Sequence, residues 1–176
     1  MDRKIKRIAL SGIMCALGIA ISFIESLIPP IVAIPGAKPG FSNIVIMYAM
    51  GSLGLPYALA ITIFKALFAL ITRGLTAFFM SLCGGLFSLL IMWLLFRIKS
   101  NKIGYIGIGV LCAVFHNLGQ LTVAIVILGK NIIAIAPWLL ISGMICGMVT
   151  GTVFGLTYPV LLSRTKFISN HFSSKC

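Results

Sequence analysis

The sequence predicts an all-α integral membrane protein, a bundle of six transmembrane helices with both termini on the cytoplasmic side. Three observations carry that reading. The 176-residue chain is 60% hydrophobic and 9% charged, with mean hydropathy +1.17, whereas soluble domains carry about 25% charged residues. A domain this size buries only about two-thirds of what its unfolded chain exposes, so so much apolar surface requires lipid as its solvent. Short polar breaks also divide the chain into six apolar runs, and six spans of ~20 residues fill 1–176 as one domain. Finally, lysine and arginine fall unevenly on the two sides of those runs, as membrane orientation demands.

The first span is expected over about 8–28, behind the basic start Arg3, Lys4, Lys6 and Arg7. A signal peptide shares that pattern. Here the apolar run is long enough to span and no A-x-A site precedes the prolines, so a retained helix is expected. Gly12, Ala16 and Ala20 recur every four residues and lay small side chains along one stripe, where another helix backbone can come close. The stripe suits packing within the chain or docking to a partner membrane subunit.

Between the first two spans, Glu25 to Asn43 reads E-S-L-I-P-P-I-V-A-I-P-G-A-K-P-G-F-S-N, with four of the seven prolines and Lys38. Glu25 and Asp2 are the two acidic residues of the chain. A charged, proline-stiffened stretch among apolar runs reads as the rim or lid of a small-molecule site. The second span, 41–55, is short and stops at G-S-L-G-L-P, where Gly51, Gly54 and Pro56 signal a break. The third, 57–72, carries Lys65, and Arg73-Gly74 makes a tight connection to the fourth, 75–96, with Gly84-Gly85 inside. R-I-K-S-N-K from Arg97 to Lys102 is a loop. The fifth span, 103–128, holds His116, Asn117 and Gln120, and Gly129-Lys130-Asn131 turns the chain into the sixth, 137–160, before a polar tail from Ser163.

In the last span Gly143, Gly147, Gly151 and Gly155 lie four apart, leaving bare backbone along one edge. A packing seam and a sliding surface both fit that edge. No repeat links the two halves, so nothing supports an inverted-repeat transporter complete in one chain. With the N-terminus inside, Arg3, Lys4, Lys6, Arg7, Arg97, Lys99, Lys102, Arg164, Lys166 and Lys175 are cytoplasmic. Lys38, Arg73 and Lys130 are outside, and Lys65 is intramembrane. That asymmetry fits a multi-pass protein of a bacterial-type inner membrane whose first loop faces out.

The net charge of +12 does not imply nucleic acid, because the basic residues are not interleaved with stacking aromatics. Five cysteines show no C-x-x-C pair and four lie in apolar runs, so neither a disulfide framework nor a metal site is expected. Two carboxylates cannot supply a magnesium cage for diphosphate chemistry. No P-loop, G-x-G-x-x-G or nucleophile elbow is present. The expectation is therefore no enzyme and no cofactor, with any active transport energised by another subunit or an ion gradient.

A charge at the bilayer centre costs about 2.5–3.5 kcal/mol on insertion scales, so each polar residue in the spans needs a reason. Glu25, Lys38, Asn43, Lys65, Arg73, His116, Asn117 and Gln120 are the candidates. His116 and Gln120 are four apart and share a helix face. Glu25 can neutralise Lys65 or Arg73, and the His116 face can simply bond neighbouring helices, the usual fate of a core histidine. Alternatively the set forms an outward-opening pocket. One carboxylate against Lys38, Lys65 and Arg73 leaves excess positive charge, which suits an anionic solute.

Several stretches resemble the family named heptaprenyl diphosphate synthase component I, also labelled Gx transporter. They are E-x-x-x-P and I-P-G-x-K-x-G-x-x-N across Glu25 to Asn43, K-x7-R-G from Lys65 to Gly74, S-L-C-G-G from Ser81 to Gly85, and H-N-x-G-Q from His116 to Gln120. Pro39 departs from the family's more usual leucine. The family name implies an accessory subunit of prenyl diphosphate or quinone synthesis. In architecture the chain is similar to the substrate-binding S-component of energy-coupling factor (ECF) transporters, with Ala16 to Ala20 matching their A-x-x-x-A stripe. That resemblance implies that Ala16 and Ala20 dock a transmembrane coupling subunit working with ATPases, and that the first outer loop covers the ligand. The leading expectation is a subunit that captures a small anionic solute for uptake. The others are an accessory subunit of isoprenoid or quinone synthesis, and a scaffold for a redox complex with no ligand of its own.

Overall fold

The computed structural model describes residues 3–27, 40–97 and 104–173, the last stretch with side chains as far as 160. Lys38, the rest of the proline-rich segment at 28–39 and most of the R-I-K-S-N-K loop lie outside the described residues. Six α-helices follow in order: α1 Arg3–Leu27, α2 Asn43–Ser52, α3 Leu55–Arg73, α4 Leu75–Arg97, α5 Tyr105–Leu128 and α6 Ala136–Ser173, with a 3-10 turn, Lys130–Ile135, before α6. No strand occurs among the described residues.

Five of these helices, α1 and α3 to α6, are long and apolar enough to cross a membrane. The second is not. With 10 residues α2 extends about 15 Å, roughly half of a ~30 Å hydrocarbon core, where the sequence suggested a span over 41–55. Both of its flanks hold a glycine at positive φ, Gly40 at 91° and Gly54 at 95°, a conformation that ends a helix and that side chains resist. Pro56 then starts α3 in its first turn, where a missing N–H costs nothing. At the other end of the chain, α6 runs through Pro159 to Ser173, past the end expected near 160. No glycine or second proline follows Pro159 to stop it, and membrane helices tolerate proline when neighbouring groups accommodate the freed carbonyl.

Helices α3, α4, α5 and α6 pack side by side in chain order, and α1 lies against α2 and α3. The half-length α2 is wedged among α1, α3, α4 and α6, and six of its ten residues are buried. Its Ile46, Met47 and Met50 pack with Ile61, Leu89, Met92, Ile108 and Phe154 in the main core. At the C-terminal end of α2, Tyr158 donates to Gly51 O at 2.8 Å and stacks on Phe154 at 4.6 Å. Large apolar side chains such as Ile71 and Val126 cover the outside, as a lipid-facing surface requires.

Glycine sets how close α5 and α6 come. A Cβ added to Gly109 would sit 2.4 Å from Gly147 O and 2.6 Å from Gly151 Cα, and one on Gly147 would sit 2.7 Å from Val110 Cα. The α6 glycines are therefore a packing seam against α5. Gly119 meets the Cys83–Gly84 backbone in the same way, so α4, α5 and α6 are joined by bare-backbone contacts, while Gly85 receives the Thr62 side chain of α3. The stripe on α1 is different. Gly12, Ala16 and Ala20 are exposed, and a Cβ on Gly12 would meet nothing within 4 Å.

These contacts make a differential prediction. Gly109→Ala is expected to lower stability by about 1–3 kcal/mol, the usual range for overpacking, whereas Gly12→Ala stays within about 0.5 kcal/mol of the parent. Thermal unfolding of the two variants in detergent checks it. Equal melting of both would mean that α5 and α6 do not touch as described.

Candidate functional site

The N-terminus of α2 ends inside the bundle, and the polar side chains of four other helices gather around it. Glu25 and Ser22 come from α1, three residues apart on one face. Lys65 and Arg73 come from α3, Ser81 from α4, and His116 and Gln120 from α5. Together with Gly40 and Ser42 they line one partly open cavity of about 250 Å3 including its mouth. Its enclosed part is narrow, with room for about one water. A larger solute enters only if the long Lys65 and Arg73 side chains spread.

Lys65 is the centre of the arrangement. It is 3% exposed and sits eight residues, about 12 Å along the helix, from Arg73 at the α3 terminus. Its ammonium donates to Asn43 Oδ1 at 2.8 Å and to Ser42 Oγ at 3.1 Å. An ammonium has three donors; two are spent on α2 among the described residues. Glu25 reaches the same helix end from the other side, its Oε1 accepting from Phe41 N–H. A carboxylate at a helix N-terminus is favoured by the unpaired N–H groups and the helix dipole. Its second oxygen, Oε2, is buried without a hydrogen-bond partner among the described residues.

The imidazole of His116 is slotted between two glycines. Cβ atoms built on Gly40 and Gly84 would meet its ring at 3.4 Å and 3.0 Å, and Gly40 is held at φ 91° besides. The Gln120 amide nitrogen lies 2.7 Å from His116 Nε2, a hydrogen bond along one face of α5. So Gly84 of α4 and Gly40 before α2 both make room for one ring.

Of the residues singled out from sequence, the fold brings Glu25, Lys65, Arg73, His116 and Gln120 to this cavity. Asn43 stands behind it, holding Lys65. Asn117 points away: it is fully buried and donates to Leu139 O on α6 at 2.6 Å, filling the space left by Gly143. Lys38 lies outside the described residues. Ser22, Ser42, Ser81 and Gly40 line the cavity and were not singled out; a hydroxyl three residues before Glu25 and another beside Asn43 were the available signals. Among the described residues no three His, Cys, Asp or Glu side chains gather to hold a metal ion.

The model of the heptaprenyl diphosphate synthase component I family matches residues 14–157, a stretch that contains every residue of this cavity. No curated protein and no solved structure matches the chain.

Removing Asn43 should expose how the lysine is held. Asn43→Leu takes an acceptor from a buried ammonium and is expected to cost about 1.5–3 kcal/mol, the range for hydrogen bonds to charged groups. Combining it with Lys65→Met should recover most of that loss, because no charge remains to be solvated. A double-mutant cycle on melting in detergent measures the coupling; additive losses would mean that the two side chains do not interact.

Proposed function

The chain belongs to the heptaprenyl diphosphate synthase component I family, and on that premise we propose that it is a substrate-binding membrane subunit. It captures a small anionic solute in the polar cavity and passes it inward with a partner energising module. One observation carries the reading: Lys65 and Arg73 share a cavity in the bundle interior with a single carboxylate, Glu25. A fixed positive excess is costly in an apolar bundle and is offset when an anion binds. The helix end at α2 adds backbone N–H groups of the kind that receive anions, in the manner of the broken helices of secondary transporters.

The lysine and arginine distribution supports an orientation with both termini cytoplasmic. Arg73, at one end of the cavity, then lies near the outer face, and the solute arrives from outside. The exposed small-residue stripe Gly12, Ala16 and Ala20 suits the backbone of a transmembrane coupling subunit, which would bring ATPases of an ECF-type module. Binding rather than turnover is proposed because Glu25 is the one carboxylate side chain among the described residues, too few for a magnesium cage.

The family's description favours a second reading, an accessory membrane subunit of heptaprenyl diphosphate or quinone synthesis. Copurification separates the two. An ATPase-bearing membrane complex lost with Ala16→Leu and Ala20→Leu supports the uptake subunit, whereas a soluble prenyltransferase supports the accessory subunit.

Mass spectrometry of the purified protein is expected to find a small anionic molecule retained. Lys65→Ala and Arg73→Ala should each reduce its retention at least tenfold. Unchanged retention in both variants overturns the pocket assignment.

A further inference from the structure

We propose that the cavity selects a small monoanion that also carries a neutral O–H or N–H donor, its acid group on Lys65 and Arg73 and its donor on Glu25 Oε2. The inference rests on the solute-binding reading above and adds the second half of the ligand.

Glu25 is 4% exposed and lines the cavity. One of its oxygens is committed to Phe41 N–H at the start of α2, which fixes the carboxylate. The other is buried with no hydrogen-bond partner among the described residues. Leaving a buried charged acceptor unmet is expensive, so a ligand that offers it a donor gains over one that does not. A ligand with acceptors alone would bring lone pairs against that oxygen and be rejected. Sites that hydrogen-bond a substrate hydroxyl discriminate strongly against the analogue lacking it.

Charge sets the other requirement. Among the described residues lining the cavity, Lys65, Arg73 and Glu25 sum formally to +1. A monoanion brings the enclosed set to zero. A zwitterion leaves +1 behind, and a dianion leaves −1, each costly away from water. The donor is therefore neutral, a hydroxyl or amide N–H rather than an ammonium. The enclosed part has room for about one water, so even a three-carbon acid enters as the Lys65 and Arg73 side chains part around it, and the molecule is small.

Three acids with one carbon skeleton test this: propanoate, 2-hydroxypropanoate and 2-aminopropanoate, titrated calorimetrically into the purified full chain in detergent. The hydroxy acid is expected to bind at least tenfold more tightly than propanoate, about 1.4 kcal/mol, and the amino acid no more tightly than propanoate. In Glu25→Gln the hydroxy-to-plain ratio should fall below threefold. A wild-type ratio near one, with Lys65-dependent binding, means that Oε2 does not read the ligand and overturns this proposal alone. A preference for the amino acid overturns the charge argument in the same way. No binding of any of the three, or equal binding by Lys65→Met, overturns the solute-binding reading itself. If Glu25→Gln does not fold, the wild-type ratio decides.

Discussion

An ammonium group in the middle of an apolar helix must be solvated by protein, and much of this bundle's interior follows from solvating Lys65. Water is scarce there, so oxygen acceptors have to come from elsewhere in the chain. They come from Ser42 and Asn43 at the start of a short helix. That helix end must then lie at the depth of Lys65, so α2 cannot begin at the membrane surface. Its ten residues, its flanking glycines and its burial among four other helices follow from having to end where the lysine is. Glu25 binds the same helix end from α1. Lys65 thus ties α3 to the start of α2, and Glu25 ties α1 to the same place.

The same arrangement keeps a charged, narrow cavity from filling with side chains. His116 is held by glycines on two sides and by Gln120 along its own helix, so the ring lines the wall and leaves the opening clear. Arginine and lysine lie at different heights on one helix face, which spreads positive charge along the cavity and does not concentrate it at a point. The polar set therefore lines one cavity as well as bonding helices to one another.

Much of this was legible in the sequence. Apolar runs placed α3, α4 and α5 to within two residues, because lipid leaves a chain few alternatives to helix, whereas the polar ends of α1 and α6 extend past the apolar runs that marked them. Expensive residues such as Glu25, Lys65 and His116 were rare enough to mark a common location. The break after α2 was legible in Gly54 and Pro56, but not that the helix is only ten residues long and begins after Gly40, whose positive φ appears only in the fold. Asn117 and His116 are adjacent in sequence, yet they face α6 and the cavity respectively, about 100° apart around the helix. The two small-residue stripes also looked alike. Spacing tells that a neighbour can come close, and only the fold tells which stripe already has one inside the chain.

The glycine contacts from α4 through α6 have a mechanical consequence. Backbones that interlock this tightly leave no play, since a slip along the seam would drive carbonyl oxygens into the opposite chain. Sliding of α4, α5 and α6 past one another is therefore opposed by their own backbones. No such seam holds α1, the least buried of the long helices; its Glu25 instead ties it to the chain entering α2 through Phe41 N–H.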